Sequence, residues 1–162
     1  MDNNHETQEK YKEKIALAIK NMKIADHITY VTYPVIKDKR LLLKSLDSVY
    51  DSIAGIINAI LYYDYIWKRI ELHKDPKINF DTFLGKCSPR LELGTEEIRD
   101  ILELFATVES HRKSPLEFMR KDKIVIMSTS LRTSIIDLER VKKYLNLSKR
   151  MLEKAKKYMN IA

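Results

Sequence analysis

The sequence predicts a mainly α fold, an antiparallel bundle of three to four long helices with a small β-hairpin before the C-terminal helix. Three observations carry that expectation. Three Gly and four Pro in 162 residues are too few for a loop-rich or β-sandwich chain. Apolar residues from Leu42 to Ile70 recur at alternating steps of four and three, the spacing of a helix face. A short run rich in β-branched residues at 123–128 is followed, after Thr129 to Leu131, by a second at 132–137. A chain of 162 residues is the size of one domain and long enough to bury a core without covalent staples.

The first helix is expected over residues 5 to 32, with Tyr11, Ile15, Ala18, Ile19, Met22 and Ala25 at helical spacing. Its apolar face is broad, which suggests burial against two neighbours. Pro34 is expected to close it, because the residue before a proline is pushed out of the α region. Asp38 then caps a second helix, Leu41 to about His73, with a stripe of Leu42, Leu46, Val49, Ile53, Ile56, Ile60, Tyr63, Trp67 and Ile70. Such a helix would be about 50 Å long and would pack nearly antiparallel to its partners. A second stripe on it, Ser45, Ser48, Ser52, Gly55 and Ala59, is made only of small residues. Small side chains let another backbone approach closely, within the bundle or across a homodimer, and Gly55 costs about 1 kcal/mol against Ala in a helix.

Residues 74 to 94 read as a connector punctuated by Pro76, Gly85, Pro89 and Gly94, holding at most a short turn around Phe80 to Leu84. Thr95 caps a third helix, Glu96 to His111, with acidic residues at its positive end. Ser114, Pro115, Leu116 and Glu117 form a capping box that predicts a helix of one or two turns. The runs at 123–128 and 132–137, separated by Thr129 to Leu131, predict the hairpin; the alternative is continuity with the last helix. That helix starts at Asp137 and runs to about Tyr158, with Leu138, Val141, Leu145, Ser148, Leu152, Ala155 and Met159 inward.

Composition restricts function. Cys87 is alone, so no intramolecular disulfide forms, and its thiol is expected to be inert. No HxxxH, HxH, HExxH or Cys/His spacing exists, so no metal site is expected, and no glycine-rich phosphate loop points to a cofactor. The N-terminal stretch has the pattern of neither a signal nor a transit peptide, and the longest apolar run, Ile53 to Tyr63, is too short for a span. A cytoplasmic protein with no membrane partner is therefore expected.

The net charge is +7, but residues 112 to 157 hold fourteen Lys and Arg against five Asp and Glu. Basicity thus belongs to the C-terminal third and points to an anionic partner. On the last helix Arg140, Lys142, Lys143, Lys149, Arg150, Lys156 and Lys157 make a candidate RNA or ribonucleoprotein face, able to neutralise phosphates without reading bases. The same pattern also fits a solvated face of a structural or protein-binding bundle. Asp26, His27 and Tyr30 form a polar cluster with the residue types of acid, base and hydroxyl. Helical geometry pairs Asp26 with Tyr30 or with a neighbouring helix, and leaves His27 pointing elsewhere. Tyr62 and Tyr65, beside Lys68 and Arg69, combine rings with cations in a way that suits single-stranded nucleic acid.

The segment ADHITYVTYPVIKDKRLLLKSL, with KDKIVIMSTS leading into ERVKKYL, resembles a group of small uncharacterised archaeal helical proteins. That resemblance covers most of the chain and implies no activity. The helical pattern is also similar to HEPN domains, bundles that include RNA-cleaving toxins. Their motif is an Arg followed by four to six residues and a His; the nearest match here, Arg69 and His73, has three between. One residue of slippage on a helix turns the His by about 100°. The resemblance implies an HEPN-like ribonuclease, with Arg69 and His73 as its catalytic pair, as the alternative to a non-catalytic binding module.

Overall fold

The computed structural model describes residues 2–114, 116–127 and 132–162. Helix α1 (Asp2–His27) runs into a π-helical turn (Ile28–Thr32) and a short helix α2 (Tyr33–Ile36). Helix α3 (Lys39–Ile66) follows, then α4 (Pro76–Thr82), a second π-helical turn (Phe83–Cys87) and α5 (Thr95–Lys113). Strands β1 (Leu116–Arg120), β2 (Lys123–Met127) and β3 (Thr133–Ile136) precede α6 (Leu138–Tyr158). The mainly α bundle with a small hairpin near its C-terminus is what the sequence predicts.

α3 is the central element. Leu42, Leu46, Val49, Ile53, Ile56 and Ile60 are all fully buried, so the heptad stripe is the core. Its N-terminus is capped as expected, Asp38 accepting from the Arg40 N–H at 2.9 Å. Its C-terminus lies earlier than expected. At 28 residues the helix is about 42 Å long, and Trp67 is 57 % exposed rather than core. Lys68 takes the left-handed conformation at φ 57° and donates to Tyr65 O, while the Arg69 N–H donates to Asp64 O. That is a Schellman cap built without glycine.

The small-residue stripe faces α1 and α6 of the same chain. Ser45 Oγ donates to Ala25 O and Ser52 Oγ to Ala18 O, while Ser52 and Ser148 hydroxyls lie 2.9 Å apart. A Cβ added at Gly55 would stand 3.3 Å from Ala18 Cβ, so glycine sets the α1–α3 approach. Ser45, Ser48, Ser52 and Ala59 are buried in this packing. The stripe therefore has no surface to offer a second copy, and the expected homodimer contact becomes an internal helix crossing.

Pro34 does not end the first helix. A proline lacks the N–H that would reach Tyr30 O, and its ring would crowd that carbonyl. The chain widens into the π-turn instead, with the Tyr33 N–H bonded to Ile28 O, and stays helical to Ile36. Lys37, at φ 55°, closes it. The connector is more helical than expected, since Asp75 caps α4 and the following π-turn extends it to Cys87. Thr95 is the first residue of α5 rather than its cap, which is Gly94.

The expected capping-box helix does not form. Pro115 lies outside the described residues, and Leu116–Arg120 pairs antiparallel with β2, Phe118 opposite Val125. β2 pairs in turn with β3, Val125 opposite Ile135, so the hairpin gains a third strand, while Thr129 to Leu131 lie outside the described residues. Ile124, Ile126 and Ile136 are buried against the bundle, the helix cover that a small sheet needs. A His111–Glu117 hydrogen bond ties the end of α5 to β1.

Candidate anion-binding cleft

Asp64 lies on the inward side of α3, one heptad after Ile57, and is fully buried. A lone buried carboxylate would be costly, so it must be matched by donors. Tyr158 of α6 donates to its Oδ1 at 2.6 Å, and Arg69 Nη1 to the same oxygen at 3.2 Å. Arg90 Nη1 donates to Oδ2 at 3.1 Å, and Arg69 Nη1 also reaches the Tyr158 oxygen at 2.9 Å. The Arg69 guanidinium stands 5.9 Å from the ring centroids of both Tyr63 and Tyr158. One carboxylate thus holds the end of α3, the connector and the end of α6 together. Burial, then the Asp64 carboxylate, raises the Tyr158 hydroxyl above its ordinary range. The same two causes push the buried Cys87 thiol up to about 12, which agrees with an inert cysteine.

Beside this cluster opens a cleft of about 540 Å³, lined by Lys68, Arg69, His73 and Lys86 with Tyr65 and Glu71. The Schellman cap places Lys68 and Arg69 at its wall. Asn79 clamps His73 by accepting from its N–H and donating to its carbonyl, both at 2.8 Å. The π-turn after α4 supplies Lys86. Lys68 and Lys86, with Arg69 already paired to Asp64, surround one concavity together with the His73 imidazole against one lining carboxylate, which makes a place for an anion. Arg69 and His73 have left the helix on which the sequence placed them, yet both line this cleft.

The α6 face differs from its sequence reading. Arg140 lies 3.6 Å from Glu103, and Lys143 3.3 Å from both Asp100 and Glu103. Lys149 reaches Asp26 at 2.6 Å, Lys142 pairs with Glu139 at 3.5 Å, and Lys154 pairs with Glu97 at 2.7 Å. Much of the predicted basic face is therefore matched with carboxylates, several of them on α1 and α5. Arg150, Lys156 and Lys157 carry no ion pair among the described residues. Lys157 adjoins Tyr158 and so lies at the cleft end of the bundle.

The Asp26, His27 and Tyr30 cluster resolves into a brace between helices. Asp26 turns to Lys149 rather than Tyr30, and the Lys142 and Lys149 ammonium groups stand 5.5 and 5.6 Å from the Tyr30 ring. His27 is exposed beside Lys20 and Lys23 on the outer side of α1. Among the described residues no group of three His, Cys, Asp or Glu could hold a metal ion. No described helix is long and apolar enough to cross a membrane.

Asp64, Arg90 and Lys86 were invisible as a site in the sequence reading. The available signal was an acidic residue four positions after Ile60 on a buried stripe, which requires cations from elsewhere in the chain. No family model, curated protein or solved structure matches the chain.

Proposed function

We propose that the protein is a non-catalytic binding module for RNA or a ribonucleoprotein, with its main contact at the cleft end of the bundle. The observation that carries this reading is the convergence of Lys68, Arg69, His73 and Lys86 on one concavity. Lys68 and Lys86 have no carboxylate partner among the described residues, so a phosphate there displaces counterions rather than an internal ion pair. Arg150, Lys156 and Lys157 on α6 extend the same opportunity, whereas Arg140, Lys143 and Lys149 would first have to leave Glu103, Asp100 and Asp26. About five phosphate contacts give a slope of roughly −3 to −4 in log K against log[salt] for a single strand.

The test is fluorescence anisotropy of a labelled RNA across a salt series. Reversing Lys68 and Lys86 to Glu is expected to remove most of the affinity. Reversing Lys143 and Lys149 is expected to cost stability first. No binding by the native chain at low salt would overturn the proposal.

The HEPN-like ribonuclease reading has one observation in its favour, the presence of Arg69 and His73 in the same cleft. It predicts RNA cleavage that His73→Ala abolishes while binding survives. An intact RNA after prolonged incubation removes it.

A further inference from the structure

We infer that the cleft recognises the terminal phosphate monoester of an RNA strand, with the end nucleotide seated against Tyr65. This inference rests on the RNA reading above and narrows it. A backbone phosphodiester carries a single charge and repeats along the strand, so it calls for a row of cations along a groove. A monoester carries roughly −1.5 to −2 near pH 7 and three strong acceptor oxygens, so it calls for donors converging on one point.

The cations are arranged in the second way. The row along α6 is interrupted, since Arg140, Lys143, Lys149 and Lys154 are each held by carboxylates of the fold. The unmatched Lys68 and Lys86 instead converge with Arg69 on the cleft.

Arg69 adds direction to the charge. Its Nη1 is fixed by Asp64 Oδ1 and the Tyr158 oxygen, while Nε and Nη2 have no partner among the described residues. A guanidinium anchored through one nitrogen keeps its planar fork oriented for two acceptor oxygens, the geometry that suits phosphate. Its side chain is 41 % exposed, so the fork is reachable.

Tyr65 lies on the same lining and is 47 % exposed, its ring 6.1 Å from that of Tyr62. An exposed aromatic beside clustered cations offers a stacking surface for one base. The volume of about 540 Å³ falls within the range of small-ligand sites, about 300–1,000 Å³. The cleft is thus scaled to a strand end rather than to a continuous track.

The experiment uses one RNA dodecamer, labelled internally, in three forms: 5′-phosphate, 3′-phosphate and hydroxyl at both ends. Anisotropy at fixed salt is expected to show at least tenfold tighter binding for one phosphorylated form than for the hydroxyl form. A nucleoside 5′- or 3′-monophosphate, matched to that end, is expected to compete where the nucleoside does not. Competition by inorganic phosphate alone at the same concentration would locate recognition in the phosphate without the base and overturn the Tyr65 seat. The Lys68→Gln/Lys86→Gln variant is expected to lose the tenfold preference while unfolding at the native temperature, because neither side chain has an ion-pair partner to lose. Equal affinity for all three RNAs overturns the inference and leaves the RNA reading standing. No RNA binding at all overturns both.

Discussion

Replacing Asp64 by Ala removes the acceptor for Tyr158, Arg69 and Arg90 at once. Breaking a buried ion pair by deleting one partner costs about 3–5 kcal/mol when the other charge stays buried. Here the Arg69 and Arg90 side chains are 41 % and 38 % exposed, so both guanidinium groups regain water and the cost falls to the low end. The Tyr158 hydroxyl is more enclosed and adds about 1 kcal/mol if left unpaired. The expected loss for Asp64→Ala is about 4 kcal/mol, or roughly 8–16 °C in Tm for a domain of this size. Asp64→Asn keeps the volume and one acceptor oxygen but loses the charge, and about 2 kcal/mol is expected. Urea unfolding with an unchanged m-value measures both. Tyr158→Phe combined with Asp64→Ala should be less damaging than the two single losses added, because the two side chains share one bond. A loss under about 0.5 kcal/mol for Asp64→Ala would refute the assignment of this carboxylate as the tie between α3, the connector and α6.

Two further outcomes follow from the shifted groups. Burial first, and the Asp64 carboxylate second, hold the Cys87 thiol up to about 12. Iodoacetamide at pH 8 should therefore alkylate the native chain about a thousandfold more slowly than the urea-unfolded chain, since the ordinary thiol titrates near 8.5. Rates within tenfold of each other would contradict the burial. Burial pushes the Glu103 carboxyl up, but donation by Tyr144 and Lys143 and the charge of Arg140 outweigh it and hold the group below its ordinary range. A depressed folded-state value contributes stability above the unfolded value, near pH 4.3, and loses it as pH falls through the folded value. Glu103→Gln should thus destabilise at pH 7 by about 1 kcal/mol, and the gap from the native chain should narrow towards pH 3. A gap independent of pH would show that the charge contributes nothing.

The heptad stripe of α3 made the bundle legible because burial along a long helix leaves a period that chance rarely imitates. The same regularity misplaced its end. Ile70 keeps the spacing and is buried, but it reaches the core from the connector after Lys68 has turned left-handed. Local sterics alone make Pro34 a helix end, whereas a π-turn gives the proline room without breaking the rod. Ser114 and Glu117 matched a capping box, yet pairing with β2 outweighed that local preference. The basic face of α6 was visible as composition, but which lysines are neutralised depends on carboxylates far away in sequence, such as Asp26 and Glu103. The cleft is hidden in the sequence for the same reason. Its cations come from the α3 cap and the turn after α4, brought together by tertiary packing.

The hydroxyl of Ser52 joins three helices that the ribosome delivers at very different times. Its partner Ala18 is already present when α3 emerges, so α1 and α3 form a helical hairpin from nearby sequence. Ser148, the other partner, is 96 residues away and arrives much later. Until then the part of α3 that α6 packs against, including the inward Asp64, lacks its cover. Contacts of long sequence separation form late because closing the loop costs entropy before they reward it. During synthesis the chain therefore passes through a stage with one side of its central helix open to chaperones and to aggregation. Completion of α6 ends that exposure, and with Tyr158 it also completes the support on which Arg69 rests.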